Sequence, residues 1–203
     1  MASFHSEMNI YALEPDCDRH WNLRLVDEDR DWEIMYRFDG TPLAGTWQPI
    51  AVKPDDEEVK KLPASDCPCL FGAVPVLSSR AVAVLSPILE ASGELLPLAC
   101  DEGQYFIFNV LRMADALDEP ASQVIRFPNS EKILEIESFV FKAAQVTGVD
   151  IFKVPQQPLG RVFVSDRVVE KVRAARLAGF IFEWLWASEQ QSSSPVIYTP
   201  FDV

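Results

Sequence analysis

The chain has 203 residues, of which 48% are hydrophobic, and a formal net charge of −13. That is enough apolar side chain for a sizeable core, which excludes wholesale disorder. A negative field of this size repels nucleic acid and anionic membrane, which removes both as partners, and it steers a basic protein inward at low salt.

The charge is unevenly placed. Through Glu119 there are 22 acidic and 9 basic residues, and from Pro120 onward 9 of each, so the whole excess lies in the first three-fifths. A plain solubility role accounts for such charge equally well. Four cysteines, Cys17, Cys67, Cys69 and Cys100, match no disulfide framework for a chain this long, and reduced thiols are expected. Cys67-Pro68-Cys69 is too tightly spaced for a zinc knuckle, and His5 and His20 lie far from it, so no metal is expected. The opening MASFHSEMNIY has no apolar stretch of signal-peptide length, and no segment approaches a membrane span; the expected location is the cytoplasm.

In chain order, Met8–Leu13 reads as a short strand. Trp21, Leu23 and Leu25 alternate with polar residues, as in an edge strand. Asp27, Glu28, Asp29, Asp31 and Glu33 form a dense acidic turn, and Trp32–Phe38 reads as a strand closed by Asp39-Gly40. Ile50–Lys53 is a brief strand, and Asp55, Asp56, Glu57 and Glu58 make a second acidic run. Pro63–Pro68 reads as a linker.

From Val74 the pattern sharpens. Val74–Leu77 leads into Ser78-Ser79-Arg80 and a helix to about Ala91, with either serine as N-cap and Gly93 as the stop; Pro87 should kink or shorten it. Leu95–Ala99 follows as a strand. Tyr105–Leu111 is an almost unbroken apolar run, long enough for one strand buried on both faces, and is expected to be the centre of the core. Asp115, Ala116, Leu117, Asp118, Glu119 and Pro120 then turn the chain. Val124–Phe127, Ile133–Phe141 and Ile151–Val154 are strand-like.

Near the end the earlier plan recurs: Val162–Val164, then Ser165-Asp166-Arg167 opening a helix to Ala178, Gly179, and a strand Phe180–Trp186. Laying Ser78-Ser79-Arg80 on Ser165-Asp166-Arg167 brings Gly93 to Gly179 within one residue, as in a duplicated cap-helix-strand unit. Asp166 in the first turn and Arg173 and Arg176 in the last complement the helix dipole. Phe180, Phe182, Trp184 and Trp186 share one side and are expected to pack on a helix. The tail Ala187–Ser194 is polar, and PVIYTPFDV is apolar enough to dock back. The expected fold is one α+β domain, a mixed and mainly antiparallel sheet with two or more helices packed on it. Residues 1–70 form an irregular acidic portion, 71–187 the core, and 188–203 a tail.

The segments Asn109–Arg112 (NVLR), Asp115–Asp118 (DALD), Asp150–Pro155 (DIFKVP) and Val164–Arg167 (VSDR) stand in this order in one chain. On these the chain resembles a family of bacterial polymorphic-toxin immunity proteins, the family numbered eleven, over roughly Val74 to Trp186. The resemblance implies a non-catalytic inhibitor that binds one cognate protein toxin, encoded by the adjacent gene, and blocks its active site.

The residues add compatible chemistry. If the toxin is a nuclease, its basic cleft suits an acidic surface. The contact candidates are then Asp27, Glu28, Asp29, Asp31 and Glu33, with Asp55, Asp56, Glu57 and Glu58, and Asp115, Asp118 and Glu119 behind them. Each run reads equally well as a solvated turn. Arg80 and Arg167 oppose their helix dipoles, so an ion pair with Asp115 or Asp118 is expected to hold them. Asn109, Ser165 and Asp166 are given structural roles, Asn109 because a buried amide needs partners.

The competing reading is a small acidic metal-assisted hydrolase using Asp115 and Asp118. It has no Gly-x-Ser-x-Gly elbow, glycine-rich phosphate loop or His-Glu-x-x-His helix to support it. No cofactor is expected. A third reading is a scaffold that self-associates into a homo-oligomer through the Phe180–Trp186 strand.

Overall fold

The computed structural model describes residues 8–188 and the strand 196–198. The elements run β1 (Asn9–Pro15), β2 (Leu23–Leu25), α1 (Glu28–Asp31), a 3-10 helix (Trp32–Arg37), a second short 3-10 turn (Ala44–Thr46), β3 (Ile50–Pro54), β4 (Val76–Ser78), α2 (Ser79–Ser92), β5 (Gly93–Ala99) and β6 (Tyr105–Val110). They continue with β7 (Gln123–Arg126), β8 (Ile133–Ser138), α3 (Ala143–Val146), β9 (Ile151–Phe152), β10 (Val162–Ser165), α4 (Asp166–Ala174), β11 (Phe180–Ala187) and β12 (Val196–Tyr198). This is an α+β fold, and the strands divide between two five-stranded sheets and a separate β7-β8 hairpin. The first sheet is ordered β12-β11-β1-β10-β9 and the second β2-β3-β5-β6-β4; only β3 and β5 pair in parallel within them.

The strand periodicity of two explains the layering. In β1, Tyr11 and Leu13 face a central cluster with α2 and α4, whereas Ile10 faces an outer cluster with Phe141, Phe152 and Phe163. In β6, Phe108 and Val110 join the central cluster, and Tyr105 and Ile107 join a second outer cluster with Trp21, Phe38 and Val76. Each sheet is therefore buried on both faces, which is why Tyr105–Val110 is nearly all apolar. The row expected along β11 is broken by a bulge opposite Ile10 and Tyr11. Phe180, Phe182 and Trp184 pack on the helix layer, and Trp186 turns to the outer cluster.

The two cap-helix-strand units are laid out alike. β4 and β5 flank β6, and β10 and β11 flank β1, every pair antiparallel. Ser78 is the N-cap of α2, its side chain accepting from the Ala81 amide, and the helix continues past Pro87 to Ser92 rather than stopping there. α4 ends at Ala174, short of the expected Ala178. Arg176 then adopts φ +51° and Gly179 φ +81°. A Cβ on Gly179 would sit 1.9 Å from Ser65 Oγ, so glycine is required there on both counts.

Three expectations are corrected. Trp32–Phe38 is helical, not extended: its apolar residues fall at 32, 34, 35, 36 and 38, and a helical turn is what brings Ile34, Met35 and Phe38 to the core together. Pro63–Pro68 is no slack linker. Ser65, Asp66, Cys67 and Pro68 are buried, and the Asp66 amide bonds the Ala178 carbonyl. Cys17 and Cys69 are joined in a disulfide with Cα atoms 5.6 Å apart, while Cys67 and Cys100 are free. The Leu23 amide donates to the Cys69 carbonyl, so it is tertiary pairing across 52 residues, invisible to spacing, that brings the two sulfurs together.

The polar stretch from residue 189 to 195 and residues 1–7 lie outside the described residues. β12, within the apolar end, does return onto β11. No described helix is long and apolar enough to cross a membrane.

Candidate functional site

The acidic residues singled out by sequence fall in three separate places. β2 and β3 are antiparallel, Leu23 opposite Pro54 and Leu25 opposite Val52. The run after β2 (27–33) and the run after β3 (55–58) therefore sit at opposite ends of that ribbon. Asp115, Asp118 and Glu119 belong to the turn after β6.

The second and third groups are largely committed within the protein. Asp55 accepts from the Glu57 and Glu58 amides, which hold its carboxyl below the usual range. Asp56 pairs with Arg24 at 3.1 Å and Lys53 at 3.5 Å, Glu57 with Lys60 at 2.9 Å, and Glu58 receives the Asn22 amide at 2.8 Å. Asp115 lies 3.4 Å from Lys142, and Glu119 is bonded to Arg126 at 2.6 Å. The groove of about 490 Å³ beside them carries both signs of charge. A cation entering it would compete with Lys142 and Arg126. Among the described residues no three His, Cys, Asp or Glu side chains gather to hold a metal ion.

The first group differs. Asp27 caps α1 through the Arg30 amide, and Asp31 binds the Arg30 guanidinium at 2.6 Å, which holds the Asp31 carboxyl below its ordinary value. Glu28, Asp29 and Glu33 are exposed and have no partner among the described residues. Helical spacing turns them outward with Trp32 and Tyr36, while Ile34 and Met35 pack inward. Trp32 and Tyr36 are 44% and 55% exposed and meet edge to face, centroids 5.7 Å apart. Sequence reasoning missed this pair because a strand reading placed both rings on the same side as Ile34 and Phe38.

The residues given structural roles are held as follows. Asn109 is buried, and its amide nitrogen donates to Thr41 O at 2.9 Å and Glu94 Oε1 at 2.8 Å, while Glu94 also receives the Leu43 amide. Asp166 accepts from the Asn9 amide at 2.9 Å and the Tyr11 hydroxyl at 3.0 Å, tying α4 to β1. Arg80 and Arg167 do not reach Asp115 or Asp118. Arg80 pairs with Asp66 and Arg167 with Asp150, each at 2.8 Å, because the strand-to-helix turn brings the nearer preceding loop beneath each guanidinium. Ser165 Oγ donates to Asp150 at 2.8 Å.

One residue the sequence reading passed over is Lys153, inside IFKVP. It is 2% exposed, and its Nζ donates to Phe38 O at 2.8 Å and Pro158 O at 3.0 Å. Burial lowers its pKa to about 8, against an opposing pull from Asp39. A lysine in an otherwise apolar run was the available signal. Its bond to Phe38 anchors the end of the 3-10 helix that carries Trp32 and Tyr36.

β11 lies between β1 and β12, and β12 already pairs with Phe182–Trp184 along the side away from β1, so the middle of the strand is not a free edge for self-association. A sequence model of the Immunity protein family (Imm11) matches residues 100–185, from just before β6 through most of β11. No curated protein matches the chain. The match supports an immunity role for the C-terminal part of the chain, with a toxin protein as the partner such a role implies.

Proposed function

We propose that this protein is an immunity protein that binds one cognate bacterial toxin, encoded by the adjacent gene, and neutralises it in the cytoplasm by covering its active site. The family match at residues 100–185 carries this reading. The charge distribution refines it. Of the three acidic groups, 55–58 and 115–119 are mostly engaged with lysines and arginines of the same chain, so their field at a distance is weak. Glu28, Asp29 and Glu33 keep their charge free and outward. They are the contact residues we assign, with Asp27 and Asp31 holding the helix that presents them. A toxin with a basic cleft, such as a nuclease, is the matching partner.

The test is binding of the purified protein to the catalytically silenced toxin from the neighbouring gene, followed by protection of cells expressing the active toxin. A complex whose association slows as salt rises supports both inhibition and electrostatic steering. Absence of a complex removes the proposal, and a salt-independent association rate removes the role of charge.

A further inference from the structure

The exposed pair Trp32 and Tyr36 has no structural reason to face water. Their neighbours Ile34, Met35 and Phe38 already seal the outer cluster beneath. Trp32 also lines a groove of about 330 Å³ with Leu23, Leu25, Glu28, Met35 and Leu70; its one cation, Arg24, is paired with Asp56 at 3.1 Å.

Large exposed aromatics beside an apolar groove are the composition of an interface centre rather than of a solvated turn. The charge around them names the occupant. Glu28, Asp29 and Glu33 are unpaired and lie one helical turn from the rings; Arg30 is already engaged by Asp31, and the exposed Arg37 beside Tyr36 is outnumbered by the three acids. An aromatic face rimmed by free carboxylates attracts a guanidinium or ammonium group: the ring quadrupole and the acids act on the same cation.

We propose that Trp32 and Tyr36 form the anchor of the toxin interface, seating an arginine or lysine side chain of the toxin against their rings within the Glu28, Asp29 and Glu33 rim. This rests on the immunity reading above. It adds that affinity is concentrated in two aromatic residues lying outside the family-matched region. The acids govern approach, and the rings govern residence.

The experiment measures binding kinetics of the silenced neighbouring toxin to the wild type and to W32A, Y36A, W32L, the triple variant E28Q/D29N/E33Q, and F127S. Phe127 is also 47% exposed but lies just past β7, and serves as the control. Expected results are at least a tenfold weaker Kd for W32A and Y36A, seen mainly as faster dissociation, a several-fold slower association for the triple variant, and F127S within twofold of wild type. W32L keeps apolar bulk without a π face and should remain weakened, and it guards against a folding defect in W32A when the two melt alike. Wild-type binding with W32A and Y36A within twofold overturns the anchor and leaves the immunity reading intact. Full rescue by W32L overturns the cation seat. Failure of the wild type itself to bind overturns both readings.

Discussion

Asp66 and Asp150 occupy equivalent places in the two cap-helix-strand units. Each accepts the hydroxyl of the serine that precedes its helix (Ser78 at 2.7 Å, Ser165 at 2.8 Å) and the guanidinium two residues on (Arg80 and Arg167, both at 2.8 Å). Each also returns its backbone carbonyl to that serine's amide at 3.0 Å. The same device offsets the unfavourable position of an arginine at a helix start in both units.

The two are not equal in consequence. Asp66 Oδ2 also receives the Ala178 amide at 2.9 Å, and Arg80 donates to the Ala175 carbonyl at 2.7 Å. The Asp66 set thus joins the start of α2 to the end of α4, whereas the Asp150 set stays within its own unit. Asp66→Ala should therefore cost about 3 kcal/mol in urea unfolding, from losing a buried carboxylate that accepts from three donors of a part-buried network. Asp150→Ala should cost about 1–2 kcal/mol, since it lacks the added amide bond. Equal losses would mean that the link between the helices contributes nothing.

Lys153 makes stability depend on alkaline pH with a definite sign. The folded lysine releases its proton near pH 8, and the unfolded one keeps it to about 10.5. Between these values the unfolded chain binds more protons at this residue, so the Lys153 contribution to stability should rise as pH increases from about 8 toward 10, while the buried Cys67 thiol, pushed up to about 12, opposes it above about pH 9. Below pH 8 both states are protonated and the contribution is constant, at its least favourable. The expected gain is on the order of a few kcal/mol across the full window. Denaturant melts at pH 7.5, 8.5 and 9.5 should show a wild-type slope more positive than that of Lys153→Met, the difference being the lysine's. A wild-type slope matching the variant's would mean that the ammonium is solvated.

The Cys17–Cys69 bridge closes a loop across a sequence separation of 52. Loop-closure entropy for that length amounts to about 4 kcal/mol, the upper bound on what reduction should remove. Melting with and without dithiothreitol, compared with Cys17→Ser, measures it. Identical midpoints would show that the bridge adds nothing to stability. Because reducing compartments open such bonds, alkylation of Cys17 and Cys69 in freshly lysed cells reports which form the working protein takes.

Much of the fold was legible because local rules decide it. The apolar run Tyr105–Leu111, a serine cap at Ser78 or Ser79 and the repeat of Ser-x-Arg at each helix start were visible in the chain, and each has a counterpart in β6, α2 and α4. Trp32–Phe38 was misread because WEIMYRF satisfies alternation and helical spacing alike over so short a window. What decides between them is the apolar cluster beneath, assembled from Trp21, Phe71 and Ile107, residues distant in sequence. The acidic runs were legible as charge but not as free charge. Whether Asp56 or Glu119 is available depends on Arg24, Lys53 and Arg126 lying within reach.

By itself the sequence determined the α+β class, the acidic first three-fifths, the positions of the two helix starts and the motifs on which the chain resembles a family of immunity proteins. Tertiary structure alone decided that Asp66 and Asp150, not Asp115 or Asp118, hold the two arginines. It also decided that Cys17 meets Cys69, that Lys153 is buried beneath Phe38, and that Trp32 and Tyr36 face outward among unpaired acids. The physical reason is range: capping and strand alternation act over a few neighbouring residues, whereas ion pairs, bridges and buried polar contacts depend on which distant segments the core brings together.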